Sequence, residues 1–411
     1  QGEFMQQSTT RRTLHYYWQV TRKHKGLFWG LIVSTFLFVA LLSYGNPYVM
    51  SLVVDRVSES GVGPDEVFSA YGPYIVALIA INVFGQAASK FQDYTLYKLE
   101  IAAAYDLATM SFDALCNQSM SFHSNRFGGT LVSQTSKFMS AYQQIIETIM
   151  FPFLPVMCSV IFTCGILAPR VPVYVAILMA LLAVYATVSY IMYKRILSLN
   201  EKAASAQNQL SGELSDSVSN ILAVKTYGRE DYERSLFTDA SLEAMRADSR
   251  SMRATIKRGI MTSSLIVVIM SIVSIFTAGG NAWFGISAGT LVMMFTYTYN
   301  LTMRFNMINS MLARLNKVFG DASEMTRILD EPRLVSDVPN APALQVEAGN
   351  IDFEHIGFTY EDSANATPVF TDLNLHIPGG QRVGLVGQSG SGKTTLTKLL
   401  LRLSDVQQGE V

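Results

Sequence analysis

The sequence predicts an α-helical membrane protein followed by the start of an α/β segment built on a phosphate-binding loop. Three observations carry that expectation. Apolar residues make up 49% of the 411 residues and charged residues only 15%, well below the usual quarter for charge. The apolar residues gather in six blocks, at about 27–50, 71–91, 145–167, 171–193, 256–279 and 288–308, each near the roughly 20 residues that cross a bilayer core. Near the end of the chain stands Gly387-Gln388-Ser389-Gly390-Ser391-Gly392-Lys393-Thr394, the pattern G-x-x-x-x-G-K-T.

Taken in order, Gln1–Phe4 ahead of Met5 read as a leftover tag and residues 5–25 as an N-terminal segment. Within it, the basic and aromatic stretch from Arg11 to Lys25 reads as a helix lying on the inner membrane surface. Residues 26–330 then read as the membrane domain, 331–345 as a linker and 346–411 as the first part of a soluble domain. Lys and Arg cluster before the first span, after the fourth, before the fifth and after the sixth. The loop after the first span carries Asp55, Glu59, Asp65 and Glu66 against Arg56 alone. By the positive-inside rule both termini are cytoplasmic. A net charge of −1 leaves no nucleic-acid footprint. Cys116, Cys158 and Cys164 have the spacing of neither a zinc site nor a disulfide framework and read as packing residues.

Connections on the outer side look short, with turns expected at Ala168-Pro169-Arg170 and Gly279-Gly280-Asn281. Connections on the inner side are long. Residues 90–144 and 194–255 each read as helix, polar break, helix, so the spans continue into the cytosol as stalks. The first break is expected at 123–129 and includes Asn125, Arg126, Phe127 and Gly128. The second is expected at 211–216 and includes Glu213, Ser215 and Asp216. Either tip is a solvated hairpin or a docking element for a cytoplasmic domain, and the phosphate loop downstream favours docking.

Val383–Val386 reads as a buried strand, 387–393 as the loop and Thr394–Leu403 as a helix. Glycines let successive N–H groups turn toward one centre, and the helix N-terminus adds a positive dipole end. Gly387, Gln388, Ser389, Gly390, Ser391, Gly392, Lys393, Thr394 and Thr395 are therefore the expected phosphate-binding residues. Lys393 would reach the outer phosphates, and the Thr394 hydroxyl would hold Mg²⁺. The competing reading is a glycine-rich turn with a chance Lys-Thr. Ile351–Ile356 and Leu373–Ile377 read as further strands.

Polar residues inside the spans are candidates for a substrate cavity. Asn82 and Gln86 share a helical face with Lys90 and Asp93, and Tyr297, Asn300 and Arg304 share another. Intramembrane polar groups face a cavity or bond neighbouring helices. Lys90 and Arg304 stand near the cytoplasmic span ends, where snorkelling is the favoured reading. Pro47, Pro152 and Pro155 are expected to kink their helices.

Six spans, two long inner hairpins, a linker and a P-loop in this order resemble the half-transporters of the ABC exporter family. Two further stretches resemble the family: 121–133 its first coupling-helix region and 223–230 the stretch after its second. The resemblance implies six transmembrane helices with long cytoplasmic extensions and coupling helices, then the start of a P-loop NTPase domain. It implies ATP and Mg²⁺ as cofactors, a second half-transporter as partner in a homodimer or heterodimer, and Tyr360 stacking on adenine. It also implies alternating access, driven by closure of two nucleotide-binding domains, in a prokaryotic cytoplasmic membrane. The substrate expected is an amphipathic or apolar molecule: a small molecule, lipid or peptide. The family's signature and Walker B carboxylate would lie beyond Val411, so residues 1–411 alone are expected not to hydrolyse ATP. An exporter-fold importer and a non-pumping nucleotide-gated channel or degenerate heterodimer partner are the alternatives.

Overall fold

The computed structural model describes residues 2–59, 64–124, 126, 128–335, 337, 341–343, 345–346, 348–360 and 368–411. By packing, the chain divides into two units, residues 21–101 with 143–318 and residues 1–20 with 102–142 and 319–411.

The first of these units holds the apolar blocks. Among the described residues, five helical stretches are long and apolar enough to cross a membrane: Lys25–Glu59, Val67–Cys116, Gly128–Leu167, Pro172–Ser219 and Glu230–Phe284. The sixth block lies in one helix, Ala288–Asp330, made more polar by the Thr, Tyr, Asn and Arg residues of its first turns. Along the chain the helices are α1 (Gly2–Lys23), α2 (Lys25–Phe38), α3 (Asn46–Glu59), α4 (Val67–Cys116), α5 (Met120–Ser124), α6 (Gly128–Thr148) and α7 (Leu154–Leu167). They continue as α8 (Pro172–Ser219), α9 (Ile221–Thr226), α10 (Glu230–Phe284) and α11 (Ala288–Asp330). At 1.5 Å per residue the 48 residues of α8 and 55 of α10 run about 70–80 Å, more than twice a hydrocarbon core of about 30 Å. The expected stalks are therefore unbroken continuations of the spans.

Two spans contain a wide turn of π-helix, Val39–Gly45 between α2 and α3 and Ile149–Phe153 between α6 and α7. Pro152 lies inside the second, Pro47 directly follows the first, and Pro155 opens α7. A proline removes one backbone donor and crowds the preceding turn, and a π-turn is one way a helix absorbs that. The core of this unit gathers Val39, Tyr44, Leu167, Tyr174, Leu178, Val273, Met293, Met294, Tyr297 and Leu301. Val83, Ile161, Val267 and Ile275 stay exposed on their spans, which suits a lipid solvent.

Two turns fall elsewhere than the sequence reading places them. Gly279-Gly280-Asn281 stays inside α10, and the chain reverses at Gly285, which takes φ 63 in the left-handed region. Gly280 is buried where a Cβ would meet the Leu291 side chain at 2.6 Å, so its job is close packing. Ser211–Asp216 is continuous helix within α8. The second tip instead comprises Asn220, α9 and the turn at 227–229, where Gly228 takes φ 61. A single glycine such as Gly212 costs a helix only about 1 kcal/mol, so it does not stop one that packs along its length. Glu230, Asp231 and Glu233 then start α10 on the side its dipole favours.

The other unit joins α1, the last turns of α4, α5, most of α6 and the end of α11 to the C-terminal α/β part. α1 buries Thr13, Tyr17 and Val20. The Tyr17 hydroxyl donates to the Phe138 carbonyl at 2.7 Å, and its ring meets Phe138 and Tyr142. Thr13 bonds Thr326 at 2.7 Å, while Arg12 and Tyr16 both reach Asp330, at 2.9 and 2.8 Å. One face of α1 is thus committed to protein, which a helix resting only on a membrane would not be. The α/β part pairs β1 (Ile351–Phe358) antiparallel with both β2 (Phe370–Ile377) and β3 (Gln408–Glu410), in the order β2-β1-β3. Helix α12 (Lys393–Leu400) packs Leu396 and Leu399 on Phe353, Ile356 and Phe358.

Candidate functional site: a phosphate loop and the hairpin tips

The loop at 387–392 leads straight into α12. Gly390 and Gly392 take φ 84 and 85, a region open to glycine. Gly392 is the N-cap of α12, and a Cβ there would sit 2.8 Å from the Phe370 ring. The Lys393 ammonium folds back over the loop, donating to the carbonyls of Gly387 at 2.8 Å and Gln388 at 2.6 Å, with the Ser391 hydroxyl at 3.2 Å. Its three protons are therefore already collected at the centre of the loop. Thr394 is exposed on the first turn of α12, while Thr395 is buried and bonds the Tyr360 hydroxyl at 3.1 Å. Phe358 meets the Tyr360 ring edge-on at 5.0 Å, and the Lys398 ammonium stands 5.7 Å from its centre.

Backbone N–H groups at a helix start, a lysine and a threonine hydroxyl form the donor set that polyphosphate needs. Among the described residues no three His, Cys, Asp or Glu side chains stand together to hold a metal. A Mg²⁺ here would rest on Thr394, phosphate oxygens and water, which suits that ion.

The run 383–386 departs from expectation. It forms no strand, and Val383, Leu385 and Val386 are 50%, 43% and 93% exposed. A strand apolar on both faces belongs between parallel neighbours, and the described residues supply only the antiparallel β2-β1-β3 sheet. The loop helix also stops at Leu400 rather than Leu403.

At the first hairpin tip, Arg126 stacks on Phe122 at 4.1 Å and pairs with Glu331 at 3.0 Å. Gln118 donates to the Glu331 carbonyl at 3.3 Å. Phe122, Arg126, Glu331, Phe358, Tyr360 and Gln407 line one cavity of about 620 Å³. Gly128 opens α6, while Asn125 and Phe127 lie outside the described residues. At the second tip Lys225 pairs with Glu230 at 3.0 Å, and the Ser217 hydroxyl donates to Glu233 at 2.6 Å. Glu213, Ser215 and Asp216 belong to the helix leading into that tip.

All but one of the candidate polar span residues find protein partners. Asn82 and Asn46 exchange amide bonds at 3.1 and 3.2 Å, Gln86 is exposed, and Lys90 pairs with Asp93 at 2.9 Å. Asn300 donates to the Ser43 carbonyl at 3.4 Å. Arg304 is half-buried and donates to the Ser43 hydroxyl at 2.8 Å, so it is anchored to the first span instead of snorkelling. Ser43, Tyr44, Asp55 and Glu331 were not legible as site residues, since each acquires its role only from a partner far along the chain.

The model of the ABC transporter transmembrane region matches residues 29–305, and the ABC transporter domain model matches residues 370–411. The chain belongs to the ABC transporter family. It is 26% identical over 406 residues to the transport/processing ATP-binding protein ComA of Streptococcus pneumoniae, covering 95% of this chain and 53% of that protein. It is 24% identical over 402 residues to the mitochondrial iron-sulfur clusters transporter atm1 of Neurospora crassa, covering 93% of this chain and 54% of that one. The chain spans about half the length of these curated relatives. In fold it resembles a bacterial Atm1-family ABC exporter solved with ATP bound, with a TM-score of 0.72, 22% identity and coverage of 95% of this chain and 67% of that one. As an ABC transporter it is a multi-pass membrane protein with an exporter-type transmembrane fold, and its loop belongs to the domain that binds ATP in this family.

Proposed function

We propose that these residues are the transmembrane part and the phosphate loop of an ATP-driven exporter, working as a dimer of half-transporters by alternating access. The observation that carries this reading is the collapse of Lys393 onto the loop carbonyls at 2.8 and 2.6 Å. Those three protons are what incoming phosphate oxygens would take over, exchanging neutral acceptors for charged ones. Tyr360 stacks on the adenine, and Thr394 holds Mg²⁺ with the phosphates. Asn125, Arg126, Phe127 and Gly128 at the first inner tip, and residues 220–229 at the second, transmit closure to the spans. Glu213, Ser215 and Asp216 support the second tip from α8. Asn82, Gln86, Asn300 and Arg304 offer polar contacts to an amphipathic or apolar substrate. Both termini face the cytoplasm of a prokaryote, and the face of α1 carrying Leu14 and Trp18, 44% and 52% exposed, rests at the membrane. Residues 346–411 open the nucleotide-binding domain, after a membrane domain at 26–330 and a linker at 331–345.

The test is ATP-dependent uptake of an amphipathic dye into sealed inside-out vesicles carrying the full-length protein. Uptake that Lys393→Ala abolishes supports the reading, and equal uptake by wild type and variant refutes it.

A further inference from the structure

The first membrane-spanning segment and α11 meet along an antiparallel seam with polar contacts at both ends. At one end the Asp55 carboxylate accepts from the Gly289 N–H at 2.6 Å and from the Ser287 hydroxyl at 3.1 Å. Ser287 in turn accepts the Thr290 N–H at 3.3 Å. Asp55 thus holds the first turn of α11, where N–H groups lack helical partners and the dipole favours a carboxylate. Gly289 brings the two backbones together, since a Cβ there would run into the Ser51 carbonyl. One turn further along, Ser51 faces the Met293 sulfur at 3.9 Å.

At the other end three donors of α11 converge on the π-turn. The Tyr297 hydroxyl donates to the Tyr44 carbonyl at 2.8 Å, Asn300 to the Ser43 carbonyl at 3.4 Å and Arg304 to the Ser43 hydroxyl at 2.8 Å. The Tyr44 hydroxyl is gripped from α7 as well, by the Ser159 carbonyl at 2.9 Å and Thr163 at 3.0 Å. The Tyr44 and Tyr297 rings pack at 4.6 Å.

The two ends differ in what opening them would cost. Tyr44 and Tyr297 are 2% and 0% exposed, whereas the Ser287–Asp55 bond is exposed. Parting buried partners strands polar groups without water. Asp55 is half-buried and its bond from Gly289 partly so, but water reaches the Ser287 side of its carboxylate and can replace that bond. We infer that Asp55, Ser287 and Gly289 form a latch closing the outer mouth of the membrane domain, and that the seam opens from this end while pivoting on Tyr44 and Tyr297. Only the word "outer" and the link to transport rest on the proposed function; the geometry of the latch does not.

The test places spin labels in the protein reconstituted in lipid nanodiscs, with Cys116→Ser to remove the exposed thiol. An outer pair at Val57→Cys and Val292→Cys and an inner pair at Phe36→Cys and Met303→Cys use positions that are 56%, 38%, 45% and 42% exposed. Asp55→Ala removes the carboxylate, and Gly289→Ala forces the same end apart with Asp55 intact. Each variant is expected to add a longer-distance population to the outer pair and leave the inner pair as in wild type. An unchanged outer pair in either variant, or an inner pair that lengthens with it, overturns the inference. Neither nucleotide nor substrate is present, so a failure here leaves the transport reading standing.

Discussion

Arg126 and Glu331 face each other fork to fork, with Nη1 3.0 Å from Oε2 and Nη2 3.5 Å from Oε1. The pair joins the first hairpin tip to the residue just past the end of α11. Both side chains are more than a third exposed, so the pair itself contributes no more than about 1 kcal/mol. Its consequence is positional: Glu331→Ala is expected to leave thermal stability within about 1 kcal/mol of wild type. Hydrogen exchange should rise across 118–126, because only the Gln118 bond to the Glu331 carbonyl then remains.

Lys393→Ala removes the only ammonium placed at the loop centre by the contacts above. Charge-assisted hydrogen bonds contribute about 1.5–3 kcal/mol each. Loss of one or more should weaken binding of a fluorescent ATP analogue by roughly 10- to 100-fold. Lys393→Arg should not restore it fully, because the planar fork cannot direct three protons to one point.

Tyr360 offers its ring as well as the bond to Thr395 at 3.1 Å. If the ring stacks on adenine, Tyr360→Phe should hold ATP affinity near wild type. Tyr360→Ala should lower it by roughly 3- to 10-fold, matching about 0.5–1.5 kcal/mol for an aromatic pair. Binding of inorganic triphosphate, which has no base, should be unchanged in both variants.

Tyr17→Phe keeps the ring packing of α1 and deletes its buried bond to the Phe138 carbonyl. The Phe138 carbonyl keeps its partner within α6, so losing this bond should cost about 0.5–1.5 kcal/mol, read by thermal unfolding. ATP affinity should not change.

The Tyr16 hydroxyl is pushed up to about 12, first by burial and then by its bond to Asp330 and that carboxylate's charge. The folded chain therefore holds this proton more tightly than the unfolded chain, whose tyrosine titrates near about 10. The stabilising contribution is complete below that value and is lost as pH rises toward about 12. Amide protection of α1 should fall across this window, with Tyr16→Phe removing part of that fall.

The apolar spans, their long extensions and the loop leading into a helix were legible because each is written locally, in apolar runs and in one spaced motif. The second tip was not. Gly212 looked like a breaker, but helix packing tolerates a lone glycine, and the real stop needed Gly228 in the left-handed region. Gly279-Gly280 misled in the same way, since Gly280 serves a close approach to Leu291. The run 383–386 has a strand's composition, yet strands are completed by neighbours, and pairing partners are not written in a single run. The Asp55 latch joins residues more than two hundred positions apart in sequence, which no local pattern announces.

In the proposed cycle, nucleotide at the phosphate loop moves the membrane helices. Hydrogen exchange of 39–55 and 287–304 in the reconstituted protein, with and without Mg²⁺ and ATP, reads that movement directly. Faster exchange at 51–55 and 287–290 is expected when ATP is present, and no change in Lys393→Ala. Exchange that is the same with and without ATP in the wild-type protein would contradict it.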